Sequence, residues 1–277
     1  MRIAIYLFLL TINTSLAAKT VDQSVEITPQ LAGQLTLPAA NPSRIVLMLH
    51  GWNGSLNEIG DLYKDLAVKL AEQDIASLRF NFSGEGERVN YVVTSTLDSR
   101  LSESTQAYQY LRNRFPEAII GVQGFSLGGL TAMLLATTNP DWFRTMVLWS
   151  AADAVPNFDS SIAYSKAAQR AMREGRGIYT SWADITLTRE HLASFVGVNA
   201  SLNLAAYKGP VLSIRGDQDY LPANERKWFS LLPTADKALY LIGGADHIFN
   251  VLENPRPDYS VRVHEETVDW FVRTLSD

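Results

Sequence analysis

The sequence predicts an α/β fold, a mostly parallel and doubly wound sheet with a small helical cap insertion, on three observations. Apolar runs of strand length recur along the chain and alternate with segments whose apolar residues repeat at helical spacing. Strands that alternate with helices in this way imply a parallel sheet covered on both faces. One connection, from Ser150 to Val211, is far longer than a single return helix requires.

The first residues stand apart from this pattern. Arg2 gives a positive start, Ile3 to Leu10 form an apolar stretch too short to span a bilayer, and Ser15-Leu16-Ala17 offers a small-x-small cleavage site. Residues 1–17 are expected to be a signal peptide cut after Ala17, with Ala18 the next position. The protein is then expected in a periplasm or secreted, and a chain of 277 residues without cysteine fits an oxidising compartment.

Past the leader, Val25 to Thr28 and Gly33 to Leu37 read as a short antiparallel pair at one edge of the sheet. Strands follow at Ile45–Leu49, Ile75–Phe80, Ala118–Gln123, Thr145–Trp149, Val211–Arg215 and Ala238–Leu241. Between them Ile59, Leu62, Tyr63, Leu66 and Leu70 mark one helix face, and Leu101, Tyr108 and Leu111 mark another. Leu127 to Thr138 forms the next helix, and Val263, Trp270, Phe271 and Leu275 suggest a closing one. The core is expected over residues 18–154 and 208–277, with a cap over 155–207. In that cap Ile162 to Glu174 reads as a helix exposing Lys166, Arg170 and Arg173, and Thr188 caps a second helix through Val196. Its aromatics are Phe158, Tyr164, Tyr179, Trp182 and Phe195. Tyr164, Tyr179 and Trp182 are the candidate substrate contacts.

Composition narrows the function. A net charge of −5 without a basic run gives no electrostatic footprint for nucleic acid. Four histidines without ligand-like pairing, and no cysteine, argue for neither metal nor cofactor. No stable membrane span is expected once the leader is gone.

Chemistry enters at Gly124-Phe125-Ser126-Leu127-Gly128, a G-x-S-x-G run between a strand and a helix. A serine hydroxyl is a weak nucleophile unless a sharp turn presents it to a base and an anion site, and little bulk is tolerated around that turn. The strand Ile45–Leu49 runs into His50-Gly51-Trp52-Asn53-Gly54, a glycine-rich loop of the kind that supplies a backbone N–H to an oxyanion. Trp52 and Leu127 are the expected donors, and His50 is expected to be structural. Downstream, Gly216-Asp217-Gln218-Asp219 and Ala245-Asp246-His247 each follow a strand, so an acid and a histidine come after the serine at the same sheet edge.

With these motifs in place, HGWNG, RFNFSGEGE, GFSLGG, KGPVLSIRGDQDYLP and LIGGADHIF, the chain resembles the α/β-hydrolase superfamily, and within it the small serine esterases of the feruloyl and cinnamoyl esterase type. The resemblance spans His50 to Phe249. It implies a triad of Ser126, Asp219 and His247, with Asp217 ranked second as the acid, and oxyanion donors at Trp52 and Leu127. It implies a small-molecule ester substrate of short-chain acyl or aryl type. A lysophospholipase, a thioesterase or an aminopeptidase-like peptidase could use the same triad. The last needs an acidic group for the substrate amine, for which Glu174, Asp184 and Glu190 are available. Glu87-Arg88 departs from the small residue common in relatives.

Overall fold

The computed structural model of the chain describes residues 20–86, 91–154 and 162–276, so the expected signal peptide, the Glu87-Arg88 pair and Phe158 lie outside the described residues. The chain opens with β1 (Val21–Thr28) and β2 (Leu31–Leu37), followed by β3 (Arg44–Leu49), α1 (Leu62–Ala71), β4 (Ala76–Phe80) and a short β5 (Val92–Val93). Then come α2 (Leu97–Arg114), β6 (Ile119–Phe125), α3 (Leu127–Thr138) and β7 (Met146–Trp149). The long connection carries α4 (Ile162–Glu174), β8 (Arg176–Thr180), β9 (Asp184–Thr188), α5 (Arg189–Ser194) and a 3-10 segment (Ala200–Ala206). β10 (Val211–Gly216), α6 (Glu225–Leu231), β11 (Lys237–Ile242) and α7 (Tyr259–Thr274) complete the chain.

The main sheet runs in the order β1-β2-β4-β3-β6-β7-β10-β11. The pairings β1/β2 and β2/β4 are antiparallel and all others are parallel. From β3 the chain steps outward to β4 and then crosses back to β6 on the other side of β3. The strand order therefore reverses between β3 and β6, and a parallel sheet opens a crevice at that point beyond its carboxyl ends.

Why the sheet is covered twice is visible along β3. Ile45, Leu47 and Leu49 join one buried cluster with Leu97, Leu111 and Leu130 of α2 and α3. Val46 and Met48, pointing the other way, join a second with Leu62 and Leu66 of α1 and Val263 and Phe271 of α7. The period-two alternation of a strand thus feeds two helical layers at once.

The long connection is not wholly helical, which corrects the expected cap. β8 and β9 form a hairpin, and β9 also pairs with β5 into a small second sheet. Its apolar stripe, Ile185 and Leu187 with Val93, buries against Tyr164, Ala167 and Ala171 of α4. Gly177 lets the helix lie directly on the hairpin, since a Cβ there would come within 2.0 Å of the Ala167 carbonyl oxygen. Thr188 caps α5 as expected, its hydroxyl accepting the His191 N–H at 3.3 Å.

Candidate active site

Ser126 sits at the step from β6 into α3 with φ 53° and ψ −116°, a backbone conformation that a side chain rarely enters. The turn is tight because its neighbours are glycines. A Cβ on Gly124 would lie 2.4 Å from the Gly128 carbonyl oxygen, and one on Gly128 would lie 1.9 Å from that of Leu49. Ser126 is 2% exposed, and Leu127 follows it as the first residue of α3. N–H groups of a helix's first turn have no partner within the helix, which suits Leu127 to an anion.

The loop after β3 packs onto this turn, with Gly51 so close that a Cβ would lie 3.3 Å from Ser126 Cβ. His50 organises it from below. Its Nε2 accepts the Phe82 N–H at 3.0 Å, so Nδ1 carries the proton and donates to the Gly51 carbonyl at 2.8 Å. Complete burial holds this imidazole down at about 4 and keeps it neutral. His50 is therefore structural. In a planar trans peptide the C=O and N–H point in opposite directions, so a fixed Gly51 carbonyl also aims the Trp52 N–H. The neighbouring amides are held by carboxylates: Gly51 N–H by Glu58 Oε1 and Asn53 N–H by Glu85 Oε2, both at 2.5 Å.

Glu85 is itself buried and paired with Arg100 at 2.5 Å, and Arg100 also donates to the His50 carbonyl at 2.6 Å. Burial alone would raise the Glu85 carboxyl, but Arg100, with His50, Ser95 and His191, holds it below its ordinary range. Glu58 forms no salt bridge among the described residues, and burial, only partly offset by the Gly51 and Ile59 N–H groups and by Arg100, pushes its carboxyl up to about 7.

Asp219 and His247 arrive on adjacent loops. A Cβ on Gly216 would lie 1.9 Å from the Ala245 carbonyl oxygen, so only glycine lets the turns after β10 and β11 touch. His247 Nδ1 lies 2.8 Å from Asp219 Oδ1, and its Nε2 lies 3.0 Å from Ser126 Oγ. Asp219 Oδ1 also accepts the Leu221 N–H at 2.9 Å, and Oδ2 faces Arg215 at 3.3 Å. Burial works to raise the Asp219 carboxyl, yet His247, the Leu221 N–H and Arg215 outweigh it and keep the group below its ordinary value. The carboxylate accordingly holds the imidazole with its proton on Nδ1 and its lone pair toward Ser126. Asp217 does other work, accepting the Gly244 N–H at 2.8 Å and the Gln218 amide at 3.0 Å.

Above Ser126 opens a cavity of about 770 Å³, walled by Trp52, Tyr91, Phe125, Tyr179, Trp182 and Tyr220, with Glu58, Asp246 and His247 as its ionisable lining. No lysine or arginine lines it among the described residues. Tyr179 and Trp182, two of the expected substrate contacts, line this cavity. Tyr164 does not: it is buried behind the wall, its ring edge-on to Trp52 and Tyr179. Phe195 is likewise buried, against His191. The residues that sequence reasoning missed are Glu58 and Glu85, the two carboxylates on the loop amides, and Arg215 behind Asp219. Glu85 lies within the quoted GEGE stretch, but nothing in the sequence marks it as an acceptor for a loop thirty residues earlier.

The profile of the family described as Hydrolase_4, serine aminopeptidase S33, matches residues 40–196, more than half of the chain. No curated protein matches the chain in sequence. Among solved structures the chain is similar to Est1E from Butyrivibrio proteoclasticus with ferulic acid bound, at 18% identity and a TM-score of 0.72, over 92% of this chain and 100% of that one. It is similar to a monoacylglycerol lipase from Paleococcus ferrophilus, at 20% identity and a TM-score of 0.67, over 88% and 99% of the two chains. A dienelactone hydrolase from Anabaena variabilis aligns at 19% identity and a TM-score of 0.63, over 94% and 100%. At these identities the likeness establishes the α/β-hydrolase fold.

Proposed function

The chain belongs to the serine aminopeptidase S33 family, a group of serine hydrolases, and from that premise we propose that it cleaves neutral carboxylic esters of short-chain acyl or aryl type. The observation that carries the reading is the unbroken chain Asp219–His247–Ser126, with links of 2.8 and 3.0 Å, on the wall of an aromatic cavity.

In this proposal Ser126 Oγ attacks the ester carbonyl while His247 Nε2 takes its proton, and Asp219 holds the ring and its charge. The carbonyl oxygen, now negative, accepts the N–H groups of Trp52 and Leu127. His247 returns the proton to the departing alcohol, leaving an acyl-serine. Water then attacks that acyl group, activated by the same histidine, and the acid is released. The inserted segment from 155 to 207 serves as the cap, since Tyr179 and Trp182 complete the cavity wall.

Two observations favour a neutral ester. The described lining offers no cation to an anionic substrate. The two acids on the cavity wall, Glu58 and Asp246, are taken up by backbone N–H groups. Three further acids lie elsewhere: Glu174 pairs with Arg170 at 2.8 Å, Asp184 accepts from Thr180 at 2.7 Å, and Glu190 is exposed. None of the three lines the cavity.

The test is a hydrolysis panel on the protein from Ala18 onward with Ser126→Ala alongside. It pairs p-nitrophenyl esters from acetate to palmitate with methyl ferulate, an acyl thioester, a lysophospholipid and an aminoacyl p-nitroanilide. Turnover of short or aryl esters that vanishes in the variant is the expected result. Turnover of the anilide alone would move the protein to the peptidases. Export to a periplasm or the medium belongs to the same proposal, and N-terminal sequencing of the mature protein should begin at Ala18. A mature chain beginning at Met1 would overturn the export proposal.

A further inference from the structure

Glu58 is an uncomfortable residue. Its backbone stands at φ 58° and ψ 166°, a region that essentially only glycine enters without steric cost. Its side chain is buried, and among the described residues no lysine, arginine or histidine forms a salt bridge with it. Neither feature favours folding: a strained backbone costs energy, and so does a buried carboxyl without a salt-bridge partner.

What that placement gives the residue is a short contact with the loop after β3. Oε1 accepts the buried Gly51 N–H at 2.5 Å, and Oε2 only meets the adjacent Ile59 N–H at 3.2 Å. Room for the carboxyl comes from Gly54, where a Cβ would lie 2.9 Å from Oε1. The contact matters because three successive peptides are pinned here. The first has its carbonyl (His50) on Arg100 and its N–H (Gly51) on Glu58. The second has its carbonyl (Gly51) on the His50 ring, which leaves its N–H, that of Trp52, aimed the opposite way. The third has its N–H (Asn53) on Glu85. Gly51 is the joint between the first two, and a glycine joint turns freely unless its amide is held.

We infer that Glu58 is a positioning residue of the oxyanion loop, acting beside His50: by holding the Gly51 N–H it fixes the peptide before the one that His50 holds, and so keeps the Trp52 N–H on the line along which the negative carbonyl oxygen develops. The inference rests on the proposed role of Trp52. Glu58 edges the cavity with a carboxyl already taken up by backbone N–H groups, so its loss should fall on the transition state, in kcat, rather than on KM.

The experiment compares Glu58→Gly, Glu58→Ala and Glu58→Gln with the wild type by kcat and KM on a p-nitrophenyl ester, by the rate of Ser126 phosphonylation with a fluorophosphonate, and by Tm. Glu58→Gly relieves the backbone strain and removes the acceptor. It should melt no lower than the wild type while kcat and the labelling rate fall by about 10-fold or more, within the roughly 10²–10³ that one oxyanion donor is worth. KM should stay within about twofold. Glu58→Ala should lose as much rate, and Glu58→Gln, whose amide oxygen still accepts, should keep most of it. The inference is overturned if Glu58→Gly retains wild-type kcat, or if the loss appears in KM, which would make Glu58 a substrate contact. A Glu58→Gln variant as slow as Glu58→Gly would overturn it too, by making charge the cause. If the wild type hydrolyses no ester but Ser126 is phosphonylated, the ester proposal fails and the labelling rates still decide the role of Glu58. A wild-type Ser126 that resists phosphonylation overturns the inference directly.

Discussion

Replacing Asp219 by asparagine tests the site at a carboxylate whose side chain is wholly buried. Oδ1 accepts two hydrogen bonds, from His247 at 2.8 Å and from the Leu221 N–H at 2.9 Å, while Oδ2 faces Arg215 Nη2 at 3.3 Å. Asparagine has one accepting oxygen and one donating amine for these two positions. With its oxygen at Oδ1, the amine meets the Arg215 guanidinium, donor against donor. Turned over, the amine meets both the Leu221 N–H and His247 Nδ1, and the ring must carry its proton on Nε2. In that tautomer His247 cannot take the Ser126 proton. In either orientation the charge that stabilises the imidazolium is gone. The corresponding change in a well-studied serine protease triad costs about 10⁴ in kcat, or about 5 kcal/mol of transition-state stabilisation. We expect Asp219→Asn to lose on that order with p-nitrophenyl acetate. Asp217→Asn should lose less than about threefold, because an amide oxygen can still accept from Gly244 and Gln218. Stability gives a second readout. The folded Asp219 carboxyl lies below its ordinary value, so it stabilises the fold above the unfolded pKa, and that contribution vanishes as pH falls through the folded one. The advantage of wild type over Asp219→Asn should shrink below about pH 4. An Asp217→Asn variant slower than Asp219→Asn would refute the assignment of the acid.

Three further outcomes follow from the same geometry. Ser126→Gly should abolish turnover yet stabilise the fold by about 1–3 kcal/mol, because glycine adopts its φ of 53° without strain; an unchanged or lower Tm would count against a strained turn. Trp182→Ala removes a cavity wall that is 64% exposed, so KM for aryl esters should rise about 10-fold or less. Its kcat and Tm should hold, and a fall in kcat alone would contradict a purely binding role. For Glu58 the sign runs opposite to that of Asp219. Its folded value of about 7 lies above the ordinary 4.5, so the native state keeps a proton that the unfolded chain releases, and stability is lost as pH rises through that window. Relative to Glu58→Gln, the wild type should lose roughly 3 kcal/mol between pH 4.5 and 7 in denaturant titrations; a difference that does not change with pH would refute it.

What the sequence discloses and what it hides have separate physical causes. Ser126, Asp219 and His247 were legible because the backbone around them admits few residues. Gly124, Gly128 and Gly216 each sit where a Cβ would collide with a carbonyl oxygen, so they leave a spaced glycine pattern. Acceptors for loop amides leave no such trace: Glu58 turns back on Gly51 within the same connection, Glu85 reaches Asn53 from beyond β4, and nothing periodic marks either. The hairpin β8–β9 was missed because its strands are five residues long and only Ile185 and Leu187 alternate cleanly. Tyr164 was legible and misread. It shares a helical face with Ala167 and Ala171, the spacing of a buried stripe, and that spacing outweighs its aromatic character.

The strain in the fold has a direction. Of the non-glycine residues with positive φ among those described, Asn53, Glu58 and Asp61 follow β3, Tyr91 follows β4, and Ser126 and Ser150 follow β6 and β7. Phe249 and Asn250 follow β11, and Asp74 alone of these lies in a turn leading into a strand of the main sheet. The carboxyl edge of the sheet therefore carries nearly all the backbone cost, while the strands beneath it are packed on both faces. Such a sheet can over-determine the loops at its edge, which is the condition under which strained residues persist. Ser126 and Glu58 are the two that touch the proposed chemistry, one presenting the nucleophile and the other fixing the loop opposite. Replacing either with glycine should therefore move stability and rate in opposite directions. A strained residue without a functional role would move stability alone.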